Sequence, residues 1–128
     1  MPEMRFVQPS SGPPAIGPYS PGVACGNLLF VSGQIPRDAA GKMTSESIEA
    51  ATWQALQNLR AVLAAAGCSI ADVVKTTVFL QDLADFPAMN KAYAEFFGNH
   101  RPARSTVQAA RLPAEARVEI ECIAVISA

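Results

Sequence analysis

The chain has 128 residues, half of them hydrophobic and 16% charged, with a formal net charge of −1. This length suits one domain, 1-128, with one core, and the composition is too apolar for a disordered chain. Nothing in the charge draws the whole molecule to nucleic acid or an anionic membrane, and no apolar run reaches the roughly 20 residues that span a bilayer.

Met1 to Gly12 lacks a basic region followed by an apolar stretch, so no secretory leader is expected. Cys25, Cys68 and Cys122 are odd in number and form no C-x-x-C pair. Reduced thiols in a cytoplasmic protein are the simplest reading. His100 is the only histidine, so no metal site is expected. No phosphate-binding glycine motif, nucleophile elbow or calcium loop occurs, and no cofactor is expected.

The first segment, through Pro9, Pro13, Pro14, Pro18 and Pro21, is rich in proline and reads as an ordered loop. An additional strand fits Arg5–Gln8. Gly22–Cys25 and Leu28–Ser32 are apolar runs separated by Gly26-Asn27, a two-residue hairpin signal. Glu46–Ala66 reads as a long helix, because Ile48, Thr52, Leu56, Leu59 and Leu63 recur at helical spacing. Thr44 or Ser45 is its expected cap, with Glu46 and Glu49 near its N-terminus and Gly67 just past its end.

Val73–Leu80 is rich in β-branched residues and reads as a strand. A second helix starts at an Asp85 cap, with Pro87 in its first turn. It carries an apolar stripe of Phe86, Met89, Tyr93 and Phe96 or Phe97, and Gly98 closes it. Ser105–Ala109 and Arg117–Ile126 are the last strands. The expected fold is α+β, two layers, with two helices against one sheet. Leu28–Val31 is apolar on both faces, and the last strand adds Ile123 and Val125 to the face opposite Val118, Ile120 and Cys122. Two helices cover only one sheet face, so closed self-association is expected.

Arg104 stands where a loop enters a strand. Its guanidinium suits a two-point grip on a carboxylate, or an ordinary surface ion pair. Glu119 and Glu121 alternate with core residues. On a partly apolar face one of them suits proton transfer, and a solvated strand end or a subunit salt bridge suits the same pattern. Tyr19 on its stiff loop fits a pocket or a packing role. Ser32-Gly33 permits close approach of a ligand, or marks a bulge. Asn90 lies within the second helix and reads as structural. None of the cysteines has a visible activating partner.

Five stretches in this order resemble the Rid (reactive intermediate deaminase, YjgF-type) family. They are Ile16–Ser20, Phe30–Pro36, Val74–Leu80, Asp82–Phe86, and Pro102–Val107 followed by Ala110–Pro113 and Val118–Glu121. The resemblance covers Ala15 to Val125. It implies a fold like the trimeric bacterial chorismate mutase: a mixed sheet, two helices on one face, and sites in clefts between three subunits. It implies hydrolysis of 2-imino acids (2-aminoacrylate and its tautomer 2-iminopropanoate, and 2-iminobutanoate) to 2-keto acids and ammonia, without metal or cofactor.

By position, Arg104 matches the family's carboxylate-binding arginine and Glu119 the glutamate near the attacking water. Tyr19, Ser32, Gly33 and Asn90 match other pocket positions. Thr106 stands where several members carry cysteine, and Pro21 where a polar residue is common. Ribonuclease or translation-inhibitor roles described for some members, and a non-catalytic carboxylate-binding module, are the rival readings. The acidic balance and the lack of a basic run argue against nucleic acid.

Overall fold

A computed structural model describes residues 3–127. The strands are β1 (Met4–Val7), β2 (Gly22–Cys25), β3 (Leu28–Gln34), β4 (Val73–Leu80), β5 (Ala103–Gln108) and β6 (Val118–Val125). The helices are α1 (Ile48–Ala65) and α2 (Phe86–Phe97). One six-stranded sheet has the order β1-β2-β3-β6-β4-β5. Only the β4–β5 pair is parallel, so the sheet is mixed and the fold is α+β, as expected. No helix among the described residues is long and apolar enough to cross a membrane.

Register divides the residues between two faces. Arg5, Ala24, Leu29, Ala124 and Val73 lie in one row across the sheet, and Val7, Gly22, Val31, Cys122, Thr76 and Arg104 in another. Both rows face the helices. They meet Leu56, Leu59, Val62 and Leu63 of α1 and Met89, Tyr93 and Phe96 of α2 in one core. The alternate row is Phe6, Val23, Phe30, Ile123, Lys75 and Ala103. No element among the described residues covers it: Phe6 is 71% exposed and Phe30 45%.

Element ends follow local chemistry. Ser47, not Thr44 or Ser45, caps α1; its hydroxyl accepts from the Ala50 N–H at 3.0 Å. Glu46 therefore lies before the helix, because the helix starts with the first buried side chain, Ile48. Gly67, at φ +78°, lets the Cys68 N–H bond back to Leu63 and the Gly67 N–H to Ala64, closing the orphan carbonyls. Asp85 precedes α2 but makes no capping bond. Its carboxylate pairs with Arg117 at 3.2 Å, while Asp82 caps the short turn before it. Phe86 leaves the expected apolar stripe and is 37% exposed.

Asn58 on α1 is buried and holds the strand-to-helix connection in place. Its amide donates to the Ile35 and Arg37 carbonyls at 3.0 and 2.7 Å, and its oxygen accepts from Gln54. Asn58→Ala leaves the Arg37 carbonyl without its donor, while the Ile35 carbonyl keeps the Arg37 N–H at 2.7 Å, and the variant also opens a gap in a buried row; an unmet group costs about 1–3 kcal/mol. The variant is expected to cost about 2–4 kcal/mol in urea unfolding at fixed protein concentration, whereas Gln54→Ala costs under about 1 kcal/mol.

Candidate active site

The site begins with an irregularity in β3. Val31 pairs with Cys122 and Gln34 with Ile120, so three steps along β3 match two along β6. The extra residue makes a bulge at Ser32-Gly33, opposite Glu121. Alternation along β6 puts Glu119 and Glu121 on the face away from the helices, where Phe79 and Thr77 are their partners on β4.

Glu119 lies directly on Gly33. A Cβ at Gly33 would stand 2.8 Å from the Glu119 carboxyl carbon and closer still to Oε2. Only glycine leaves the carboxylate room there. Burial raises the Glu119 carboxyl above its ordinary range, and the nearby charge of Glu121 raises it further. A carboxyl whose charged form is disfavoured in this way is suited to accepting a proton.

A cavity of about 660 Å³ opens beside this pair. The proline-rich segment from Pro9 to Tyr19 forms one wall, the bulge residues Ser32 and Gly33 another, and Glu119 and Glu121 lie along it. Ser32 ties the first two together: its hydroxyl donates to the Ser20 carbonyl at 2.6 Å and its N–H to Pro21 at 2.9 Å. Tyr19, Ser32, Gly33 and Glu119 all line this cavity. Asn58, Arg37 and Gln34 also line it and were not singled out from the sequence. Asn58 left a trace there, because Ala51, Ala55, Asn58 and Val62 recur at helical spacing and place a polar residue in a buried row.

The other candidates sit elsewhere. Arg104 and Thr106 project from the helix-facing side of β5, at the sheet edge, and Asn90 is exposed on α2. None of the three lines the cavity. The Arg104 guanidinium carbon lies 4.6 Å from the Tyr93 ring centre and 5.6 Å from that of Phe86. The Thr106 hydroxyl oxygen is buried without a partner among the described residues. Within one chain the carboxylate lies in a cavity and the guanidinium on an edge strand.

All three cysteines are free; Cys68 and Cys122 are buried, and Cys25 is partly so. Burial, then Cys68 and Glu121, push the Cys122 thiol up to about 12, so it stays protonated. Among the described residues no group of three or more His, Cys, Asp or Glu side chains is placed to hold a metal ion.

A mixed sheet backed by two helices, with a partly buried acid and a glycine bulge at a cavity, defines a small α+β protein. Its sequence matches the model of the endoribonuclease L-PSP family over residues 10–126. It is 45% identical over 124 residues to the 2-iminobutanoate/2-iminopropanoate deaminase of Salmonella typhimurium, covering 94% of this chain and 97% of that one. It is 46% identical to a RutC family protein of Pyrococcus horikoshii, covering 97% and 98%. Its fold superposes on Escherichia coli TdcF with bound serine at a TM-score of 0.91, with 42% identity over 96% and 99% of the two chains. The chain belongs to the Rid (YjgF, L-PSP) family.

The charge of Glu121 and the burial of Glu119 act on the same carboxyl and are separable. Glu121→Gln is expected to lower the Glu119 pKa while leaving it above the ordinary carboxylate range, because burial is the larger cause. Carbon-13 NMR titration of the two glutamates reads this directly. Gly33→Ala is expected to displace the carboxylate and change its titration with little change in melting temperature, since the clash is with the free end of a side chain.

Proposed function

We propose that this protein hydrolyses 2-imino acids, in their imine or enamine forms, to 2-keto acids and ammonia. Its proposed substrates are 2-iminopropanoate, 2-aminoacrylate and 2-iminobutanoate, and its proposed site lies between subunits of a homotrimer. The observation that carries the reading is the Glu119 carboxylate, half-buried against Gly33 at the cavity wall with its pKa raised. The names of relatives at about 45% identity, two of them 2-iminobutanoate/2-iminopropanoate deaminases, support it.

The chemistry needs three things: a hold on the substrate carboxylate, a water at C2, and a carrier for one proton. A protonated imine is electrophilic at C2. As water attacks, the new C–O bond forms and the C=N pair moves to nitrogen. Glu119 takes a proton from the water, giving a carbinolamine. It then returns the proton to the amine nitrogen; as the C–N bond breaks and ammonia leaves, the hydroxyl oxygen forms the C=O bond and gives its proton to Glu119, and the keto acid remains. A carboxylate whose pKa is raised is a stronger base than an ordinary one, which suits the proton-accepting steps. The cavity is lined by Glu119, Glu121 and one cation, Arg37, a balance of one negative charge that favours a small cationic iminium over the phosphates of RNA.

Arg104 would hold the substrate carboxylate with a planar two-point grip. Within one chain it faces away from Glu119, so the reading joins Arg104 of one subunit to the cavity of the next. Thr106 and Asn90 would border the cleft from the Arg104 side, and Tyr19, Ser32 and Gly33 from the other. The uncovered row of Phe6, Val23, Phe30 and Ile123 supplies an apolar surface for that assembly. The proposed setting is the cytoplasm.

The test couples purified protein to a dehydratase that releases 2-aminoacrylate and follows imine loss. Glu119→Gln is expected to lose about a hundredfold in turnover. Arg104→Ala is expected to lose at least about a hundredfold in turnover over KM, with Arg104→Lys rescuing poorly. Arg111→Ala, close in sequence, should lose little. Light scattering should give three chains per particle. A wild-type protein that leaves imine loss at its spontaneous rate would remove the reading.

A further inference from the structure

Arg104 is held in an unusual way. The one salt bridge among the described residues joins Arg117 to Asp85, and no protein acceptor takes a hydrogen bond from the Arg104 guanidinium. An arginine that is half-buried and meets no carboxylate is normally free to swing. This one lies instead near two aromatic rings, Tyr93 at 4.6 Å and Phe86 at 5.6 Å from the guanidinium carbon. Both come from α2, one from its first residue and one from its middle.

The Tyr93 ring is itself fixed. Its hydroxyl shares a 2.7 Å buried hydrogen bond with Thr76 Oγ1, and Thr76 is the β4 residue paired with Arg104. On its other flank Tyr93 packs on Phe97, ring centres 4.7 Å apart. The ring next to the cation is thus braced by the neighbouring strand and by its own helix. An aromatic face attracts a cation through its quadrupole and accepts no conventional hydrogen bond from the guanidinium edge. Carboxylates in the same place would orient Arg104 equally well, but they would occupy the donors a ligand needs.

We infer that Tyr93 and Phe86 form an aromatic shelf that orients Arg104 while leaving its planar donor edge free for a ligand carboxylate, with Thr76 locking the shelf through the Tyr93 hydroxyl. They are positioning residues, and the inference rests on the proposal that Arg104 binds the substrate carboxylate. The shelf also explains the departure of Phe86 from the core: a residue expected in the buried stripe of α2 sits at the surface because it borders the guanidinium. Specificity for arginine over lysine at position 104 follows, since a planar cation stacks where a rounded ammonium does not.

The test reads ligand binding apart from chemistry. Affinity for pyruvate, KM and kcat are measured for Phe86→Leu, Phe86→Tyr, Tyr93→Phe, Tyr93→Leu and Arg104→Ala, with thermal melting of each. Phe86→Leu removes a partly exposed ring and should stay folded. It is expected to weaken pyruvate binding and raise KM about three- to tenfold, with kcat within about twofold. Phe86→Tyr keeps the ring face and should stay within about twofold of wild type in KM, whereas Tyr93→Phe keeps the ring but loses the lock to Thr76, so it should raise KM about two- to fivefold and melt lower for loss of the buried hydrogen bond. Tyr93→Leu, if folded, should show at least the binding loss of Phe86→Leu. A Phe86→Leu protein with wild-type pyruvate affinity and KM, alongside an Arg104→Ala protein that has lost both, would overturn the shelf and leave the role of Arg104 standing. Normal pyruvate affinity in Arg104→Ala would overturn both.

Discussion

Two helices cover one face of a six-stranded sheet, and in this protein the other face is also apolar. Everything about the site follows from where that leaves β6. Its even-numbered residues, Val118 to Ala124, are the floor of the core, so Glu119 and Glu121 are forced onto the uncovered side. There Glu119 lies half-buried beside Phe79 and the cavity wall, while Glu121, opposite Thr77, is exposed, and the Glu119 carboxyl is raised as a result of its burial. The same division by faces sends Arg104 to the helix side of β5, next to α2. One strand pattern therefore separates the acid from the cation within a chain. The proposed cleft between copies would reunite them without breaking register.

The bulge in β3 acts on that layout at a single point. A regular strand would carry a side chain over the Glu119 carboxylate. The extra residue at Ser32-Gly33 instead offers bare backbone, and the carboxylate settles on it. The bulge also presents the Ser32 hydroxyl to the Ser20 carbonyl, which fixes the loop carrying Tyr19. Bulges recur beside active sites because they re-aim side chains at the cost of one ladder pair. Here the bulge shapes the cavity wall and creates the space for the acid together.

Much of this was legible in the sequence, for identifiable reasons. Strand Val73–Leu80 is bounded as read, since its β-branched run has no competing pattern. The Gly26-Asn27 hairpin and the two-faced β3 were equally plain. The α1 cap was misplaced by two or three residues because four consecutive positions, Thr44 to Ser47, offer three hydroxyls and only geometry selects Ser47. Asp85 was read as a cap, but an arginine 32 residues away claims its carboxylate, a contact no local pattern encodes. The same limit governs the site. Glu119 resting on Gly33 joins residues 86 apart in sequence, and Arg104 beside Tyr93 joins a strand to a helix whose face was read as core alone. Residue types announced the candidates; only the register of the sheet says which of them share a cavity.

The central claim is that acid and cation act on one substrate from neighbouring chains. Mixing purified Arg104→Ala and Glu119→Gln proteins tests it, after dissociation and joint reassembly, with wild type carried through the same steps. Neither variant alone should turn over imine. In randomly mixed trimers about a quarter of the clefts pair an intact Arg104 with an intact Glu119, so activity should return to roughly a quarter of the reassembled wild type. Recovery of wild type with no recovery of the mixture above its two inactive parents would contradict a site shared between subunits.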